Sequence, residues 1–390
     1  MPIEPSSWYA LCAFRILRAL SLVLVLVLSV CDSLCAQSDQ PRPRWTEQQA
    51  ADWYAKQPWL VGSNYIPSYA INQLEMWQAR TFDPKRIDEE LGWAESIGFN
   101  TMRVFLHDLP WKEDPNAFKG RIGTFLAIAS KHHIRPLFVL FDSVWDPNPH
   151  LGKQHDPRPG VHNSGWVQSP GAKALSDPAE YPRLEAYVKG VVGAFGHDPR
   201  VLAWDLWNEP DNINDGSYGD QEPKNKVELV LALLPRVYKW AREAGASQPL
   251  TSGVWNGDWA AGGKLSATEQ IQLGESDIVS FHSYEKPVVF EQRILSLQHF
   301  HRPIICTEYM ARSNGSTFQG SLPIAKKYHV GAINWGFVAG KTQTYLPWDS
   351  WQHPYVDHQP AVWFHDIFRA DGQAYSTEEV EFIRGIIKGS

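Results

Sequence analysis

WDLWNEPDN, residues 204–212, decides how the rest of the chain is read. The apolar and aromatic run VLAWDLW, residues 201–207, leads directly into Asn208-Glu209-Pro210. A carboxylate at the end of a buried strand, fixed by a following proline, is poorly solvated, and desolvation pushes its pKa upward. A group that must give a proton to a leaving oxygen near neutral pH needs that shift. A second carboxylate in the same kind of place is Glu308 in RPIICTEYMAR, residues 302–312.

Working outward, short runs rich in β-branched, apolar and aromatic residues alternate with amphipathic stretches of helical length. Strands are expected at residues 60–65, 101–106, 135–141, 201–208, 250–255, 277–284, 303–309 and 331–337. Helices are expected near 84–97, 122–133, 181–196, 224–244, 264–273, 288–300, 319–328 and 377–388, with a small addition at 46–56. Asp83-Pro84 reads as a helix cap followed by proline in the first turn, and Gly98 and Gly245 as helix stops. Alternation of this kind implies parallel strands joined by crossovers. Runs such as LFVLF and PIIC suit strands buried on both faces. An open doubly wound sheet would also carry a glycine-rich phosphate turn after its first strand, and there is none. The fold class is therefore α/β, a (β/α)8 TIM barrel with long loops after strands 3 and 8, residues 142–180 and 338–364. Both loops leave the face of the barrel where active sites lie. Strands four and seven face each other across the mouth of such a barrel, so Glu209 and Glu308 converge on one bond. Carboxylates about 5–5.5 Å apart leave no room for a water, so one attacks the anomeric carbon while the other protonates the departing oxygen.

Composition supports a carbohydrate ligand and excludes others. A net charge of −7 leaves no basic stripe for nucleic acid. The 18 Trp exceed what a core of this size needs, and flat indole faces suit the apolar faces of sugar rings. At the N-terminus, Arg15 and Arg18 precede an apolar run at residues 19–30, with Ala36 before Gln37. The run is short for a membrane span and has the layout of a signal peptide. The expected organisation is a signal peptide at 1–36, a linker at 37–44 and a catalytic barrel at 45–390. The mature chain would be secreted or periplasmic, monomeric and free of the membrane. Cys12, Cys31 and Cys35 fall in the signal segment, which leaves Cys306 alone and no disulfide framework. The His residues show no ligand spacing, and residues 211–220 lack the pattern of a calcium loop, so neither metal nor cofactor is expected.

These strand ends together resemble the clan A glycoside hydrolases, most closely glycoside hydrolase family 5, the cellulase and mannanase family. The resemblance spans the whole barrel. It implies Glu209 as acid/base, Glu308 as nucleophile and Asn208 as a donor to the sugar 2-hydroxyl. Arg103 in TMRV matches the family's second-strand arginine, and His282-Ser283-Tyr284 its sixth-strand motif. Trp335 in AINWGF matches its eighth-strand tryptophan. Arg103 and Tyr284 would then orient Glu308, His282 would fix the acid/base side or the sugar, and Trp335 would floor the subsite. Trp145, on the long loop after strand 3, is a further substrate-binding candidate. One position departs from the pattern. Val144 stands where many members carry a histidine, so the acid/base is hydrogen-bonded differently, or His107, His155 or His162 stands in. The expected activity is retaining hydrolysis of a β-linked mannan, glucan or xylan type of saccharide. The rivals are a transglycosylase using the same residues and a carbohydrate-binding barrel without catalysis.

Overall fold

Each of the eight expected strands forms, and in the computed structural model, which describes residues 41–389, all of them are parallel. They are β1 (Val61–Tyr65), β2 (Thr101–Phe105), β3 (Arg135–Asp142), β4 (Ala203–Asn208), β5 (Leu250–Thr251), β6 (Val279–Ser283), β7 (Ile304–Tyr309) and β8 (Gly331–Asn334). The sheet order is β5-β4-β3-β2-β1-β8-β7-β6. Val254 closes the ring: its N–H donates to Ser280 O at 3.0 Å and its carbonyl accepts from His282 N–H at 2.9 Å. The result is a (β/α)8 barrel. The expected signal segment, with Cys12, Cys31 and Cys35, lies outside the described residues, as does the first half of the expected linker, residues 37–40.

β5 is shorter than expected for a physical reason. Beyond Thr251, side chains take over the bonds a ladder would make. Ser252 Oγ donates to Trp207 O at 2.8 Å, and the Gln272 amide donates to Gly253 O at 2.6 Å. The helix expected from residue 122 starts earlier, at Pro115. Asp114 accepts from the N–H groups of Asn116 and Ala117, and proline fits the first turn. Asp83 caps the Pro84–Ser96 helix in the same way, and Gly98 and Gly245 end their helices with φ of +89° and +76°.

Two apolar layers hold the barrel. Met102 and Val104 of β2 and Phe138 and Leu140 of β3 pack outward with helix residues such as Leu91, Phe125 and Val188. Alternate residues point inward, and Leu60, Leu137, Leu202, Ile278, Ile305 and Ile333 fill the floor. The helix Glu47–Tyr54 covers that floor with Ala50 and Tyr54. Inward positions nearer the top, including Arg103, Asp205 and Asn64, are polar instead, and they support the site. Among the described residues, no helix is long and apolar enough to cross a membrane.

Candidate active site

Arg103 organises the upper barrel. It is fully buried on β2, and each of its five N–H donors has an acceptor. Nη1 reaches Glu308 Oε1 at 2.6 Å and Asn64 Oδ1 at 2.9 Å. Nε and Nη2 both reach Asp205 Oδ2, at 2.9 and 2.7 Å, and Nη2 also reaches Asn208 Oδ1 at 2.7 Å. A buried guanidinium is tolerable only with such pairing, and Asp205 and Glu308 supply the opposing charge.

Glu308 sits within β7 and receives a donor on each oxygen: Arg103 on Oε1, and Tyr284 O–H on Oε2 at 2.6 Å. Burial, and next the charge of Glu308, push the Tyr284 phenol well above its ordinary value, so it stays a donor. Glu209 lies one residue beyond β4 with φ +42°, a left-handed conformation that L-residues seldom adopt. Its Oε2 accepts from the Asn212 amide at 2.7 Å, and its Oε1 lies 2.9 Å from His282 Nδ1. Burial raises the Glu209 carboxyl to about 7. Burial also lowers His282 to about 4, so this imidazole is neutral although it lies 3.5 Å from Glu308 Oε2 as well. One ligand atom from each of Glu209, His282 and Glu308 falls within 4.8 Å of the others. A cation could bridge such a set, but the fixed charge of Arg103 at 2.6 Å from Glu308 opposes it.

Asn208 is held at both ends of its amide. Its oxygen accepts from Arg103, and its nitrogen donates to Asp142 Oδ1 at 3.0 Å, which leaves one N–H for a ligand. Asp142, which ends β3, also accepts from the Trp166 indole at 2.6 Å. Above the carboxylates is a cavity of about 220 Å³. Trp145, Trp255, Trp335 and Trp348 line it, together with Asn208, Glu209, Tyr284 and Glu308. All eight residues singled out in the sequence therefore meet in one place: six line the cavity, and His282 and Arg103 bond Glu209 and Glu308 from beside and beneath it.

The structure adds residues that the sequence reading passed over. Asp205 and Asn64 carry the Arg103 fork, and Asn212 carries Glu209. Asp205 had a signal, as a lone charge inside an apolar run. Asn212 and Trp255 had none beyond their type. Of the three histidines weighed against Val144, only His162 lines the cavity. His107 accepts from Leu109 N–H at a helix start, and His155 is exposed. The Asp/Asn-rich segment after β4 uses its side chains internally: Asp211 accepts from the Trp255 indole at 2.8 Å, and Asn214 donates to Ser143 O at 2.8 Å.

No family model matches the chain, and no curated protein matches it. Solved structures do. An exo-β-1,4-mannosidase from Opitutaceae bacterium strain TAV5 aligns over 85% of this chain and 59% of its own, with a TM-score of 0.55 and 18% identity. The chain thus spans 59% of the length of that enzyme. A GH5_18 protein from Streptomyces cattleya, solved in complex with Manβ1-4GlcNAc, aligns over 85% of this chain and 80% of its own, with a TM-score of 0.56 and 10% identity. A glycoside hydrolase family 5 mannosidase from Rhizomucor miehei aligns over 86% and 94%, with a TM-score of 0.52 and 12% identity. The barrel is the fold these proteins share.

Proposed function

We propose that the protein is a retaining β-glycoside hydrolase, with Glu308 as nucleophile and Glu209 as acid/base, acting on β-mannosides. The observation that carries this reading is the spacing of the pair. One oxygen of Glu209 lies within 4.8 Å of one oxygen of Glu308, close for an inverting pair, whose carboxyl groups stand roughly 6.5–9.5 Å apart to admit a water. Their surroundings support the division of roles. Glu308, oriented on both oxygens, attacks the anomeric carbon as Glu209 gives its proton to the leaving oxygen. The C–O bond to the leaving group breaks and a glycosyl ester with Glu308 forms. Glu209, now ionised, takes a proton from water, whose oxygen displaces Glu308 and releases the sugar with its original anomeric configuration. The free N–H of Asn208 is placed for the 2-hydroxyl, a contact that strengthens as charge develops at the anomeric carbon. The mannoside preference draws on the mannosidases that share the fold.

The test is a panel of aryl β-glycosides, with the first-formed product followed by NMR. Hydrolysis of 4-nitrophenyl β-mannoside with retention is expected, undiminished by a chelator. A first product of inverted configuration, or inactivity across the whole panel, would overturn the proposal.

A further inference from the structure

The loops leaving β3 and β8 are sewn together. Asn163 N–H donates to Thr342 O at 2.7 Å, and Tyr355 N–H to Gly160 O at 2.9 Å. His162 gives its backbone N–H to Ser350 Oγ at 2.9 Å and its Nδ1–H to Leu346 O at 2.7 Å. The Gln343 amide donates to Arg158 O at 2.8 Å and Val161 O at 3.1 Å. At Gly160, φ +72°, a Cβ would stand 2.5 Å from the backbone of Tyr355, so the two loops touch closely there. In the barrel, β3 and β8 flank β2 and β1. The seam therefore runs over the β1–β2 side of the mouth. The loop after β1 joins it, with Asn72 donating to Gly165 O at 2.9 Å and Ser68 O accepting from Lys341 N–H at 3.0 Å.

The loop after β4 also bonds the seam, through Tyr218 O–H to Ser164 O at 3.2 Å, and the mouth is open beyond it. A groove of about 780 Å³ runs between residues 211–215 and residues 255–269. Asn212 and Trp255 line both this groove and the catalytic cavity, so the two adjoin. Asn212 is also the residue that holds Glu209. The leaving oxygen must meet Glu209, which puts the leaving group on the groove side and the attacked sugar toward the seam.

At the seam, His162 and Asn163 are among the residues that line the cavity, and the Asn163 amide, itself almost wholly covered, has bonding capacity in hand. Asn163 is 1% exposed with φ +47°, and neither its Oδ1 nor its Nδ2 has a protein partner. Buried amides are normally satisfied, and a left-handed φ is maintained only where the surroundings impose it. His162 spends its Nδ1 hydrogen on a carbonyl, and burial lowers it to about 4, so the ring is neutral and Nε2 is an acceptor. The 220 Å³ of the cavity is below the roughly 300–1,000 Å³ of sites for drug-sized ligands and suits a single sugar.

The geometry points to an exo-acting site in which the seam ends the cleft one sugar beyond the cleaved bond. His162 and Asn163 read the hydroxyls of the non-reducing terminal sugar, and the rest of the saccharide leaves along the groove past Trp255. This rests on the glycosidase reading above, which the aryl β-glycoside panel tests separately.

The experiment follows β-1,4-mannopentaose carrying a fluorophore at its reducing end. The expected course is free monosaccharide from the first time point, with the labelled product shortening one sugar at a time. Labelled di- or trisaccharide as the first product overturns exo action while leaving a hydrolase in place. Inactivity across the aryl panel removes both. For Asn163, wild type and Asn163→Ala are compared on 4-nitrophenyl β-mannoside and its 3-, 4- and 6-deoxy analogues. Wild type loses roughly 10- to 100-fold in kcat/KM on one analogue, and the variant loses nothing further on that same analogue. A merely structural role would lower every substrate alike and keep the deoxy penalty, which overturns the assignment.

Discussion

Glu308 and Glu209 share a side chain and a cavity yet are held in opposite ways. Glu308 belongs to its strand, with Arg103 and Tyr284 each donating to one oxygen. Glu209 stands just past its strand in a left-handed conformation, with an amide and a neutral imidazole for company. Burial, only partly offset by the Asn212 amide and the charge of Arg103, raises Glu209 to about 7. Two carboxylates in one site can thus divide acid and nucleophile roles through their neighbours alone.

The strongest way to break this comparison is to remove each glutamate and let azide report which was which. Glu308→Gly is expected to lose on the order of 10⁵-fold in kcat. Azide added to it should fill the nucleophile's space and give an α-glycosyl azide from a β-glycoside. Glu209→Ala is expected to lose about 10²–10⁴-fold on a substrate with a poor leaving group. With a leaving group that needs no proton it should lose far less, and azide should give the β-glycosyl azide. If the anomers are exchanged between the two variants, the roles are exchanged too.

Arg103→Lys sharpens the Glu308 half. Lysine offers three donors from a point charge, against five acceptor contacts arranged for a planar fork. A loss of on the order of 10²-fold in kcat is expected from misplacement of Glu308, with KM little changed. An unchanged kcat would show that the fork is not needed for alignment. The smallest effect is one of pH and tests the Glu209 half. In the proposed mechanism glycosylation needs Glu209 protonated, and its carboxyl is raised to about 7. The protonated fraction falls as pH rises through that value, so kcat/KM should decline about tenfold per unit above it. In Glu209→Gln, measured with a dinitrophenyl leaving group, this alkaline limb should be absent. Persistence of the limb would assign it to another group.

How much of this was legible depended on whether a residue acts along the chain or across it. Strand ends were legible, because an apolar run stopping at a carboxylate is a local pattern, and Glu209 and Glu308 both follow it. Asp83 and Asp114 show the same contrast in miniature: both cap helices, yet only the first was read, since the helix after Asp114 begins with residues of weak periodicity. The β5 boundary was overestimated because side-chain bonds from Ser252 and Gln272 replace the ladder, and no periodicity shows that. Asp205 and Asn208 both reach Arg103 although they are three apart, which strict alternation along a strand forbids. The end of β4 leaves that alternation, and only the folded chain reveals it.

By itself the sequence determined the barrel, the order of its strands and the two glutamates at its mouth, since these follow from alternating apolar runs and from residues next to them in the chain. The tertiary structure decided which partners distinguish one glutamate from the other, with Arg103 paired to Asp205 and Asn64 across strands. It also decided that the loops after β3 and β8 bond to each other over β1 and β2, closing one side and leaving the other open. Those contacts join residues far apart in sequence, through hydrogen bonds whose strength depends on distance and burial, and neither quantity is written in a local pattern.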